Sequence, residues 1–151
     1  MNTSLEVAQY FLDQRESKSD STIPEYTNMK LQKLVYFAHG YNLAILDKPL
    51  IDSDFFAFQY GPIEMDLYAI ASSYGRKEVK KIKEPNDYSF TDEENELLKK
   101  VDATFSKYTA SQLSEITHRK GSPWSEVWEL SPFGKIPAEL IREYFVSVQN
   151  A

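Results

Sequence analysis

The stretch that most limits the fold of this chain begins at Thr27, after which Leu31, Leu34, Val35, Ala38, Tyr41 and Ile45 recur at the three-and-four spacing of a helix face. Phe37 and Ala44 widen that stripe, so the helix is expected at the centre of the fold, covered on more than one side. Asp47-Lys48-Pro49 ends it, since proline cannot continue a helix. A central helix of this kind requires a layer of other elements around it.

The rest of the chain supplies that layer. Thr3-Ser4-Leu5-Glu6 has the form of a capping box, and Leu5, Ala8, Phe11 and Leu12 then share one face of a short helix. Gln14 to Thr27 is polar, aperiodic and holds Pro24, and is expected as a mobile loop. Phe55 to Tyr60 is an aromatic run of strand type. Gly61-Pro62 reads as a turn from which a new helix starts at the proline, with Ile63, Leu67, Ile70, Ala71 and Tyr74 at helical spacing and Gly75 as its stop. A short strand is expected near Val79 to Ile82. Thr91-Asp92-Glu93-Glu94 is a second capping box, followed by Leu97, Leu98, Val101, Phe105 and Tyr108. Thr109 caps a short helix through Ile116, Ser122-Pro123-Trp124 starts another with Val127 and Trp128 on one side, and a last one runs from Pro137 to Val148. The expectation is a mainly α fold over residues 1–151, one compact domain of about six to seven helices with a small β-hairpin or short strand pair.

Composition narrows the chemistry. The chain has two histidines and no cysteine, which removes disulfides, thiolate catalysis and cysteine-bound zinc. The net charge of −6 opposes generic attraction to nucleic acid or anionic lipid. Neither a signal-peptide pattern nor an uncharged apolar span of about 18 residues is visible, so a cytoplasmic protein with no membrane contact is expected. Ten Tyr, nine Phe and two Trp suit core edges and protein interfaces, because tyrosine carries a polar tip on an apolar body.

Candidate sites are few. His39 lies on the shoulder of the central helix and is expected as a packing residue hydrogen-bonded to a backbone carbonyl, with no paired imidazole at metal-ligand spacing. His118 follows a short helix, where its ring can satisfy terminal carbonyls. No GxSxG, GxxxxGK[ST] or GxGxxG is present, so no catalytic residue, metal or cofactor is expected. An enzyme using either histidine would need a pocket that sets the ring beside a carboxylate. Arg76, Lys77, Lys80, Lys81 and Lys83 form a basic cluster diluted by Glu78 and Glu84, a candidate nucleic-acid contact against the opposing net charge. Tyr60-Gly61-Pro62 and Ser122-Pro123-Trp124 each set an aromatic side chain at a proline-fixed turn, and read either as packed turns or as rigid anchors for a protein partner.

Taken in chain order, MKLQKLVYFAHGYNLA, KPLIDSDFFAFQYGPIEMDLY and YTASQLSEITHRKGSPW resemble the SocA-like proteins, also called the Panacea antitoxin domain and often labelled phage-associated protein GepA. The most specific marks are LQKLVYFAHG, the step into Tyr60-Gly61-Pro62, and Leu113-Ser114 with Thr117-His118 before Pro123-Trp124. The resemblance implies a mostly helical antitoxin of a type II toxin–antitoxin module that binds and blocks a cognate toxin without catalysis. One branch is described as a proteolytic adaptor that delivers its toxin to a bacterial protease. Autoregulation of its own operon by DNA binding and self-pairing as a homodimer stay open as alternatives. With almost no sequence expected outside the domain, toxin contact is expected on the domain surface, on the Gln14 to Thr27 loop or on the few terminal residues. Tyr60, Gly61, Pro62, His118, Pro123 and Trp124 are the partner-binding candidates.

Overall fold

A computed structural model describes residues 1–149. In chain order the elements are α1 (Ser4–Ser17), α2 (Asn28–Leu46), β1 (Phe55–Phe58), β2 (Gly61–Ile63), α3 (Met65–Ala71) with a 3-10 turn at Ser72–Tyr74, α4 (Asp92–Phe105), α5 (Ala110–Thr117), α6 (Pro123–Leu130), β3 (Lys135–Ile136) and α7 (Ala138–Gln149). The fold is mainly α with a three-stranded antiparallel sheet in the order β2-β1-β3.

The wide stripe of α2 does what its pattern dictates. Leu31, Leu34, Val35, Tyr36, Phe37 and Ala38 are all buried, and α1, α3, α4, α5, α7 and β2 pack around the helix. Its most extensive contact is with α7. Gly40 faces the Phe145 ring so closely that a methyl group there would overlap it. Caps fix the surrounding helices. Thr3 with Glu6, Thr91 with Glu94 and Thr109 with Gln112 each complete a reciprocal capping box, which satisfies amides that have no partner inside their own helix.

Four expectations change. The segment 14–27 is not all loop, because α1 continues through Ser17. The connection from Lys18 into α2 is pinned by a Lys18–Asp102 ion pair, by buried Tyr26, whose hydroxyl donates to Asp102 at 2.9 Å, and by Lys30, which donates to the Pro24 and Ser106 carbonyls.

Second, Pro62 does not start a helix. Gly61–Ile63 pairs with β1, Pro62 lying opposite Ala57. Ala57 spends its N–H on Gly134 O and its carbonyl on Phe133 N, both on the β3 side, so an edge-strand proline leaves nothing unpaired. Glu64 opens α3 instead, its carboxylate accepting from the Leu67 and Asp66 amides. Buried Gln32 fixes that junction, accepting from Glu64 N at 2.8 Å and donating to Glu64 O at 3.1 Å.

Third, Val79 to Ile82 forms no strand. The ladder contact nearby is an isolated bridge between Glu78 and Thr27. The Ile82 and Lys83 amides donate to the buried Gln9 side chain, which replaces a ladder. Fourth, β3 joins the expected strand pair as a third strand, with Phe55 opposite Ile136. No helix among the described residues is long and apolar enough to cross a membrane.

Candidate protein-binding face

The aromatic turns converge on one end of the sheet. Gly61 has φ 131°, a backbone region closed to other residues, and a β-carbon there would sit 3.2 Å from Thr117 Oγ1 and 3.3 Å from Lys33 Cε. The Tyr60 carbonyl accepts from Ser114 Oγ at 3.2 Å. Pro123 is the first residue of α6, and Trp124 Nε1 donates to Phe58 O at 2.6 Å. The His118 ring stacks on Trp124 with centroids 3.8 Å apart.

The six candidates are thus neighbours, and most of them are interior. Gly61, Pro62, Pro123 and Trp124 are buried and His118 is half-buried, whereas Tyr60 is exposed. Trp124 stands 7% exposed, so its surface is already spent on packing. Among the described residues the buried His118 Nε2 has no hydrogen-bond partner. Its pKa is lowered, by burial first and then by the nearby Lys33 ammonium, with the Tyr60 backbone opposing. A neutral ring stacked on indole fits that environment.

Lys33 itself is fully buried, and no carboxylate pairs with it among the described residues. Its ammonium donates a long hydrogen bond to Met29 O at 3.5 Å. Burial pushes its pKa down to about 7. Lys30 is as buried, and is better held, by two carbonyls and by the Tyr26 ring 4.2 Å away.

Beyond Trp124 the rings continue outward. Trp128 lies 5.5 Å from Trp124, Phe133 packs edge-on against Trp128 at 5.3 Å and against Phe58 at 5.2 Å, and Tyr68 of α3 lies 6.4 Å from Phe58. This row reaches solvent. Phe133 is 56% exposed, and Leu130, at the end of α6, is 89% exposed. Phe133 also sits at φ 68°, which costs a residue with a bulky side chain on the order of 1–3 kcal/mol. Its amide, donating to Ala57 O at 2.8 Å, and the Ala57 amide, donating to Gly134 O at 2.9 Å, hold it there. A strained backbone and a half-exposed ring therefore coincide at Phe133. Phe133 is not among the sequence candidates; the available signal was an aromatic residue between Pro132 and Gly134.

The remaining candidates lie elsewhere. His39 is buried, and its Nδ1 accepts from the Leu50 and Ile51 amides at 3.3 and 3.4 Å. The partner is thus two N–H groups rather than the expected carbonyl. Burial lowers its pKa to about 4, with Asp54 opposing. His39 and Asp54 border a cleft of about 260 Å³, yet no hydrogen bond joins them. The basic cluster lies on the loop before α4. Lys80 pairs with Glu78, Lys81 with Glu84 and Lys83 with Asp87, so acidic groups neutralise much of it, while Arg76 and Lys77 stand exposed. Among the described residues no group of three histidine or acidic side chains is placed to hold a metal.

The family model described as antitoxin SocA-like, Panacea domain matches residues 31–125, from α2 into the start of α6. Antitoxin SocA of Caulobacter vibrioides (strain NA1000 / CB15N) is 31% identical over 115 residues, which cover 67% of this chain and 59% of the relative. The match therefore spans less than two thirds of that relative's length. No solved structure matches the chain. With the family model covering more than half of its residues, the chain belongs to the antitoxin SocA-like, Panacea domain family.

Proposed function

We propose that this protein is the antitoxin of a toxin–antitoxin pair, and that it neutralises a toxin protein by direct binding through the aromatic face around Phe133. Family membership and the name of the Caulobacter relative support the antitoxin role. The observation that carries the choice of surface is Phe133, an exposed ring held at a strained backbone angle. Strain of this kind collects where a side chain must be aimed, and rigid aromatic side chains lose little entropy on binding. Buried Trp124, with half-buried His118 stacked on it, serves as its support. Tyr60, exposed in the turn after β1, extends the same end of the sheet.

The mechanism is occlusion by a largely preformed surface. The chain performs no chemistry in this reading. His39 uses its free ring nitrogen to receive two backbone amides, and His118 is committed to its stack on Trp124.

Co-expression with the product of the neighbouring gene tests the proposal. Rescue of growth and co-purification are expected, and Phe133→Gly should abolish both. That substitution relieves the positive φ while losing ring contacts, so stability should stay within about 1 kcal/mol of the parent. A hot-spot ring lost from an interface weakens binding by about thirtyfold or more. Rescue unchanged in Phe133→Gly would remove this face from the mechanism. No toxicity from the neighbouring product, or none relieved by the parent chain, would remove the antitoxin role.

A further inference from the structure

A second surface feature lies away from the aromatic face. It is a groove of about 570 Å³ between the C-terminal half of α2 and α4. Its floor is apolar, made by Tyr41, Ile45, Leu97, Val101 and Phe105. The Phe105 ring anchors that floor, stacked on Phe37 at 4.5 Å and on Tyr41 at 6.4 Å. Ile45 is 49% exposed within it. One wall carries Asp92, Glu93 and Glu96, with Lys100 as the lining cation.

Shape and charge select an occupant. The α4 wall is about 21 Å long at 1.5 Å per residue, enough for about four turns of another helix. Small-molecule sites depend on a few convergent polar groups, whereas here the carboxylates all come from the first turns of α4, on one side of the groove. A second copy of this chain would bring a further charge of −6 to an already acidic edge. We propose that this groove docks an amphipathic helix of a partner protein, with its apolar stripe on Ile45, Leu97 and Val101 and a lysine- and arginine-rich flank along Asp92, Glu93 and Glu96. This is the helix-in-groove mode of recognition. It is independent of the proposed toxin contact, because the groove shares no lining residue with the Phe133 face. It also lies wholly within the segment matched by the family model.

Two synthetic amphipathic peptides test it on the full chain. Both carry leucines at i, i+3, i+4 and i+7, one flanked by lysines and the other by glutamates. With isotope-labelled protein, the lysine peptide is expected to shift the amide signals of Tyr41, Ile45, Leu97 and Val101 and to bind at least about tenfold more tightly than the glutamate peptide. Glu93→Lys combined with Glu96→Lys should reverse that preference, and Ile45→Asp, at an exposed position, should abolish binding with the fold intact. The proposal is overturned if neither peptide binds, if the shifts fall outside the groove, or if flank charge makes no difference. Self-association of the chain that maps to the groove would also overturn it, in favour of a second copy. No toxin enters the experiment, so its outcome stands apart from that of the co-expression test.

Discussion

Two buried side chains link sequence to solution behaviour at the scale of single residues. His39 has a folded pKa of about 4 against an ordinary 6.5. Its contribution is fully present above pH 6.5 and is lost as pH falls through 4, because the unfolded chain takes up the proton first. The loss amounts to about 3 kcal/mol. His39→Phe should flatten that part of the stability curve and leave the Leu50 and Ile51 amides unpaired, costing about 1–3 kcal/mol at pH 7; urea unfolding at pH 7, 5.5 and 4 measures both effects. Lys33 works at the other end of the scale. Its folded value of about 7 lies below the ordinary 10.5, so the unfolded chain binds more protons between those limits and stability rises with pH across them. Lys30, lowered to about 8, adds to the same slope. Lys33→Met should gain about 1–3 kcal/mol at pH 7, since a buried amine with no carboxylate partner among the described residues is replaced by an apolar chain of similar volume. The gain should shrink by pH 9.5. A loss of stability in Lys33→Met would mean that the ammonium has a partner beyond Met29 O. The burial of His39 was readable in the sequence, as a ring on the shoulder of an apolar stripe. That of Lys33 was not, because it depends on Gly61 and Thr117 closing over α2 from distant parts of the chain.

Among elements, the helices were the most legible, because their signals are local. The three capping boxes and the α2 stripe lie within a few residues of the structure they specify. The parts that escaped depend on distant partners. The β3 strand is two residues long and exists through its pairing with Phe55 and Phe56, which no local pattern announces. Pro62 was misplaced for a related reason, since the Gln32–Glu64 hydrogen bonds that delay the start of α3 join segments far apart in sequence. The contact of α2 with α7 offers the sharpest test at this scale. Gly40→Ala drives a methyl group into the Phe145 ring, and overpacking of this kind costs about 1–3 kcal/mol even as helix propensity improves. Pairing Gly40→Ala with Phe145→Leu should restore part of the loss, as thermal unfolding of the three variants would record.

For the molecule as a whole, the fold was legible and the candidate site only half so. The inner half of the aromatic row, Trp124 with His118, stood out as a proline-fixed turn. The exposed half did not, because Ser131-Pro132-Phe133-Gly134 reads as an ordinary loop until the Phe133–Ala57 hydrogen bond fixes its backbone. The family match covers 31–125, and so leaves out Trp128 and Phe133. It also leaves out α1, with buried Val7, Ala8 and Phe11, and α7, with buried Ile141 and Phe145. A fragment of residues 31–125 is therefore expected to lack a cooperative unfolding transition, measured by circular dichroism against the full chain. That core membership has a practical corollary for exchange between relatives. A chimera that transplants only the shared middle would mate one parent's Gly40 with another's counterpart of Phe145. Swaps meant to redirect partner choice should instead carry whole chains, or confine the graft to the few side chains standing proud of the sheet.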